Sequence, residues 1–332
     1  MSARTKMVAA ALAAVVLAAA AGYAVLRARA GRARTVAGTA AVTLAPGPRL
    51  LAVSTAPATR GHLVALPPAG GPLEVSPLTC TRFHAAGGTG LCLRPDGDLP
   101  TYELVVLDAA LTQRRAIPLV GVPNRARVSP SGRWVAWTVF VAGDSYNGGR
   151  FSTRVGLLDT RTQRLVPTLE DWKVTLRDRP YRAADLNFWG VTFAAGDRVF
   201  YATMSTSGHR YLVRGDLAAG TLRVLRDGVE CPSLSPDGGR LAFKSAVGGD
   251  PGRGWRPAVL DLATMRETVL AERRSVDDQP AWLDDRTVAY ALPRAGGGSD
   301  VWRVPADGSG RPELLLAQAA SPVALRSDPA SP

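Results

Sequence analysis

Histidine, cysteine and lysine occur only three times each in 332 residues. His62, His84 and His209 lie far apart, and the chain contains no His-x-x-x-His, no Cys-x-x-Cys and no Gly-x-Ser-x-Gly. Those gaps remove the usual frames of a zinc site and of a serine triad. With lysine only at Lys6, Lys173 and Lys244, positive charge rests on arginines that are scattered rather than clustered. A nucleic-acid surface needs a basic stripe interleaved with aromatics, and none is present. Acid is missing from the first 34 residues, which hold Arg4, Lys6, Arg27, Arg29, Arg32 and Arg34. Setting those six aside leaves 34 basic against 28 acidic residues, so half of the net charge of +12 belongs to the N-terminal flanks. Nothing in these patterns calls for a cofactor or a metal.

One long uncharged run does occur, Met7 to Leu26. At 1.5 Å per residue, twenty helical residues span the ~30 Å core of a bilayer. The run exceeds the usual h-region of a signal peptide, so residues 1–27 read as an uncleaved signal anchor or transmembrane helix. The alternative is a cleaved signal peptide with its small-residue site near Ala19-Ala20-Ala21. Basic residues on both sides leave the positive-inside rule pulling against export. A basic-then-apolar N-terminus is the usual export signal, and the expectation is an extracytoplasmic domain on a single-pass anchor at the cell membrane. Residues 28–41 read as a flexible tether and 327–332 as a disordered tail.

Glycine (34) and proline (25) are abundant, which suits many tight turns. Ser235-Pro236-Asp237-Gly238 fits a type I turn, and the short apolar run Leu241-Ala242-Phe243 after it fits a strand. The device recurs at Ser129-Pro130-Ser131-Gly132 before Trp134-Val135-Ala136-Trp137. Related turns precede Arg49–Val53, Gly90–Leu93, Val199–Ala202 and Val288–Ala291. With Gly47, Gly88, Gly132, Gly196, Gly238 and Asp285 as markers, the steps are 41, 44, 64, 42 and 47 residues. Downstream of each turn come further strands, such as Tyr102–Leu107, Val155–Leu158, Ala258–Leu260 and Val301–Val304. A period of 40–50 residues with strands only is the signature of four-stranded propeller blades. Six units predict an all-β, six-bladed β-propeller over residues 42–326. A sandwich or a pair of barrels would also show closely spaced strands, but neither has a reason to repeat at this period. To close the ring, either Ser321–Leu325 or Ala41–Leu44 must complete a blade, and the C-terminal piece is the favoured latch.

The stretch Pro232-Ser233-Leu234-Ser235-Pro236-Asp237-Gly238 resembles the repeat of TolB-type propellers, in which Pro-x-x-Ser-Pro-Asp-Gly precedes an apolar strand. The resemblance covers about 42–326 and is similar to that of membrane-anchored TolB-like proteins of high-GC Gram-positive bacteria. It implies fold far more than function. TolB itself carries an additional N-terminal α/β domain, for which the short interval between anchor and first blade leaves no room. The hydrolase domain of propeller-gated oligopeptidases is likewise not expected after 326.

Cys80 and Cys92 flank a turn centred near residue 86, a register that would set them opposite one another within disulfide range. A disulfide and a pair of small apolar residues inside a blade are both compatible with this spacing. Cys231 is left over and expected to be buried and free.

The 64-residue step marks two insertions. Gly143–Gly149 lengthens a hairpin, and Glu170–Gly190 lengthens the connection into the fourth blade. In a propeller, connections from an outer strand to the next inner strand run inward and converge on the channel mouth. Those connections and the inserted loop hold Asn124, Arg125, Asp185, Asn187, Trp189, Glu230, Asp277 and Asp278, the candidate binding face. The reading is a monomeric, non-catalytic propeller that acts as a scaffold for a protein or peptide partner at the cell envelope. The alternatives are a propeller enzyme, a lyase or hydrolase, and a small-ligand or cation-binding module at the same mouth.

Overall fold

In blades 3 and 5 the turn between the inner strand and the next is held shut by its own serine. At Ser235 the Gly238 amide donates to the Ser235 carbonyl (2.9 Å), the Ser235 amide to the Arg240 carbonyl (2.8 Å), and the Arg240 amide to Ser235 Oγ (2.9 Å). Ser129 repeats the pattern with Gly132 (2.8 Å) and Trp134 (2.7 and 3.0 Å). Both serines are buried. The hydroxyl replaces water for an amide that the turn would otherwise strand, and this fixes where the following strand starts.

The structure is a computed structural model that describes residues 42–67, 71–97, 100–141 and 152–326. The expected anchor (1–27), tether (28–41), lengthened hairpin (143–149) and tail (327–332) lie outside the described residues. No helix among the described residues is long and apolar enough to cross a membrane.

Six sheets follow one another around the ring. From its inner strand outward, blade 1 is Ala319–Leu325, Arg49–Ser54, His62–Leu66 and Glu74–Thr79; in the same order, blade 2 is Arg82–Ala86, Thr89–Pro95, Tyr102–Leu107 and Gln113–Leu119. Blade 3 is Val122–Val128, Trp134–Val141, Ser152–Asp159 and Leu165–Val166. Blade 4 runs Asn187–Phe193, Val199–Thr206, His209–Asp216 and Thr221–Asp227. Blade 5 is Glu230–Leu234, Arg240–Ala246, Trp255–Asp261 and Glu267–Val269; blade 6 is Ala281–Trp282, Thr287–Pro293, Ser299–Pro305 and Glu313–Leu316. The six inner strands pack on one another in a closed cycle.

The apolar clusters lie between blades rather than within them. Leu91, Leu93 and Val106 of blade 2 pack with Val135, Val139 and Leu158 of blade 3. Trp134 and Leu157 of blade 3 meet Phe188, Phe200 and Met204 of blade 4. A blade is therefore apolar on both faces, and only its neighbours remove that surface from water.

The ring is latched by the C-terminal strand, whose Leu325, Ala324 and Val323 oppose Arg49, Leu50 and Leu51. The other candidate, residues 42–44, forms no strand. Val42 and Leu44 are buried beside blade 2, and the Leu44 amide donates to the Ala109 carbonyl (2.8 Å).

Two expectations are corrected. Within the 170–190 insertion, Lys173–Leu176 and Arg179–Tyr181 form a hairpin, and Lys173–Leu176 pairs in parallel with the outermost strand of blade 4, making that sheet six-stranded. Trp172 packs edge-on against Phe200 (5.7 Å between centroids), and Tyr181 Oη bonds Thr206 Oγ1 (2.9 Å), so the insertion thickens the blade instead of forming a free loop. The cysteine register also differs. The turn is the pair Gly87-Gly88, so Cys92 opposes Phe83, not Cys80. Cys80 precedes the strand and still reaches Cys92, with Cα atoms 5.5 Å apart in a disulfide. Cys231 is free and buried.

Candidate functional site

On one face of the ring, the turns that open the blades clasp each other. A Cβ at Gly132 would sit 2.5 Å from the Gly87 carbonyl oxygen, so the turns of blades 2 and 3 touch backbone to backbone. Ser131 Oγ donates to Asp197 Oδ1 (2.6 Å) between blades 3 and 4. The Asp237 amide donates to Asp285 Oδ1 (3.0 Å) between blades 5 and 6. The opposite face carries the connections into each inner strand, and there the polar residues gather.

The residues before the inner strand of blade 6 do not stop at the rim. Gln279 Nε2 donates to the carbonyls of Val191 (3.1 Å) and Pro232 (2.9 Å), on the inner strands of blades 4 and 5. From blade 3, Arg125 Nη2 donates to the Asp277 carbonyl (3.4 Å) and Arg127 Nη2 to that of Pro280 (3.3 Å). Asp277–Pro280 thus crosses the axis and plugs the channel, leaving a mouth with a floor.

Of the candidate residues, five come together here. Arg125 donates to its neighbour Asn124 at Oδ1 (2.7 Å) and lies 3.9 Å from Asp278. Lys244 reaches Asp277, and its ammonium is 3.8 Å from Glu230, which also meets Arg210 (2.8 Å). Burial pushes the Glu230 carboxyl up to about 7, against the pull of Lys244 and Arg210. Asp277 is held below the usual carboxylate range: burial would raise it, but Lys244, Arg125 and Arg82 outweigh that.

Three candidates stand apart from the cluster. Asn187 bonds Ser152 and Thr153, tying blade 4 to blade 3, and its carboxamide oxygen lies 3.1 Å from the Thr153 amide. Asp185 accepts from Thr206 Oγ1 (2.6 Å) and the Ser207 amide, closing the hairpin of its own blade. Trp189 is half-buried on the inner strand of blade 4.

Sequence reasoning missed Arg82, His84, Arg127, Lys244 and Gln279. The signal was strand alternation: Arg82 and His84, like Arg125 and Arg127, are two apart on inner strands and so point the same way. The Val128 amide donates to His84 Nδ1 (3.1 Å), while Nε2 lies 3.0 Å from Arg127 Nη1. Burial and the Arg127 guanidinium hold His84 far below its ordinary value, so it is neutral. Among the described residues no group of three or more His, Cys, Asp or Glu side chains is placed to hold a metal ion.

Six sheets in a latched ring, with turn-to-turn clasps on one face and a polar mouth on the other, define a six-bladed β-propeller. No family model matches the sequence, and no curated protein matches it. Among solved structures, TolB from Acinetobacter baumannii matches with a TM-score of 0.63 and 17% identity, over 84% of this chain and 67% of that one. A chain of a nidogen/laminin complex matches with a TM-score of 0.54 and 12% identity, over 85% of this chain and 99% of that one. At such identities the likeness is one of fold, and the fold is a TolB-like propeller.

Proposed function

We propose that the chain is a non-catalytic propeller, held at the membrane by its N-terminal segment, that presents its channel-mouth face to a protein or peptide partner at the cell envelope. The observation that carries this reading is the asymmetry of the two faces. One carries turn-to-turn clasps between blades 2 and 3, 3 and 4, and 5 and 6. The other carries the charged cluster and, at the entry to the inner strand of blade 3, the apolar residues Val120 and Val122, which are 77% and 48% exposed. Val122 opposes Phe140, which is also exposed, so the three form a rim on blade 3. An apolar rim beside fixed charges is the composition of a docking surface. The Cys80–Cys92 disulfide supports an oxidising compartment and hence export. A likeness to a chain solved within a nidogen/laminin complex is in keeping with a protein partner.

The test is surface proteolysis and crosslinking in intact cells, with the full chain and a Val120→Asp/Val122→Asp variant. External protease should release 42–326 as one resistant block, with cleavage in 28–41. The crosslinked partner should be lost in the variant while its melting temperature is unchanged. A block inaccessible from outside, or a variant that captures the same partner as well as wild type, defeats the reading.

A further inference from the structure

The floor of the mouth holds more positive charge than its wall can satisfy. Arg82 and His84 from blade 2, and Asn124, Arg125 and Arg127 from blade 3, line one cavity with Asp278, Gln279 and Ser321. Its volume is about 30 Å³. The Nε atoms of Arg82, Arg125 and Arg127 are all buried, and none has an acceptor among the described residues. Arg82 goes further: its guanidinium makes no hydrogen bond with any described residue. Arg125 is 8% exposed.

Three arginines thus line a wall with one carboxylate, Asp278; the Asp277 carboxylate lies outside it, ion-paired with Lys244, and reaches Arg82 and Arg125 only through its field. His84 is neutral and adds no charge. A buried charged donor left unpaired is costly, so three arginines lining one space, with Arg82 unpaired, favour an acceptor that is itself charged. The planar guanidinium fork matches a carboxylate with two parallel bonds. The cavity exceeds the ~10–15 Å³ that a single water needs, so it admits a carboxylate group while the rest of a ligand lies toward the open mouth.

We infer that this cavity is a carboxylate-binding site, built from Arg82, Arg125 and Arg127 on the inner strands of blades 2 and 3. The carboxylate is either a small free acid or the terminal carboxylate of a chain inserted at the mouth. The inference deepens the reading of this face as a docking surface and rests on it only for the second source.

The test uses the full chain in a mild nonionic detergent and follows thermal stability at constant ionic strength. Formate and acetate are titrated against gluconate, whose carboxylate sits on a hydroxyl-bearing carbon bulkier than the methyl of acetate or the CH2 of a terminal glycine. Tetraglycine is compared with its C-terminal amide to separate the two sources. Saturable stabilisation by formate and acetate but not gluconate identifies a free acid; stabilisation by tetraglycine but not the amide identifies a chain terminus. In Arg82→Gln the apparent affinity should fall about tenfold, since this residue has no other bond to lose. Arg294→Gln, an ion-paired arginine of blade 6 outside the cavity, should bind as wild type does. Equal effects of acetate and gluconate without any response to tetraglycine, or undiminished binding in Arg82→Gln, overturn the inference. Loss of carboxylate binding with partner capture intact would sink this site alone and spare the docking role.

Discussion

Asp159 shows how one residue type does the same work around the ring. It ends the third strand of blade 3, and its Oδ1 accepts from the amides of Arg161 (2.9 Å) and Thr162 (3.1 Å) in the turn that follows. Asp108, Asp216 and Asp261 occupy the same place in blades 2, 4 and 5 and cap their turns likewise. Only Asp159 is buried and also bridged by an arginine, with Arg133 Nη2 and Nε at 2.7 and 3.1 Å. Burial alone would raise its carboxyl, but Arg133 and the two amides outweigh that and bring it down to about 2. A carboxyl that titrates lower when folded stabilises the fold above its unfolded value, near 4, and the gain is lost as pH falls through about 2. Asp159→Asn should therefore cost roughly 2 kcal/mol at pH 7, the gap to wild type closing between pH 4 and 2. Urea midpoints across that range measure it, and a gap independent of pH would contradict the account. Asp261→Asn, with no such bridge, should cost less. The strand-then-aspartate pattern was plain in the sequence, whereas the burial that sets Asp159 apart from the arginine-bridged Asp108 and Asp216 depends on packing that composition does not disclose.

Single elements were legible wherever a short-range signal sets them. The Ser-Pro-Asp-Gly and Ser-Pro-Ser-Gly turns fall where their residues demand, because proline, glycine and the serine hydroxyl act within five positions. The failures share a longer range. Gly87-Gly88 holds positive φ at both positions (53° and 69°), the two-residue hairpin turn that such pairs favour, and centring the hairpin near 86 shifts the register. The 173–181 hairpin was unreadable as strand because its partner, Thr221–Asp227, lies some forty residues further on. The marker glycines offer a test of what the turns do. Gly132 and Gly196 both sit in blade-opening turns with φ of 76° and 82°. A Cβ at Gly196 would meet nothing within 4 Å, whereas one at Gly132 would collide with the Gly87 backbone. Gly196→Ala should cost only the left-handed strain, about 1 kcal/mol, and Gly132→Ala at least twice that, because two blades must separate. Equal losses in melting temperature would mean that the clasp between blades 2 and 3 contributes nothing.

At the scale of the whole ring, the number of blades followed from period alone, but the contents of the axis did not. The excess of arginine over acid carries no address, and the crossing of Asp277–Pro280 depends on partners contributed by blades 3, 4 and 5 at once. Closure has a sharper consequence. Ala319–Leu325 is the inner strand of blade 1, the sequence-distant partner of Arg49–Ser54, and its Val323 and Leu325 are buried in a cluster with Val53 and Leu107. Ending the chain at Gln318 removes side chains worth roughly 1.5–3 kcal/mol each and leaves the inner cycle open between blades 6 and 2. Since every blade hides its faces on its neighbours, that gap exposes apolar surface on both sides of it. The truncated chain should lose its single cooperative transition, and a peptide spanning 317–326 added in trans should restore it by refilling the same register. A truncated chain that melts like the full one would show that the sheets stand without a latch, and the rigid mouth on which both proposed binding roles depend would lose its physical basis.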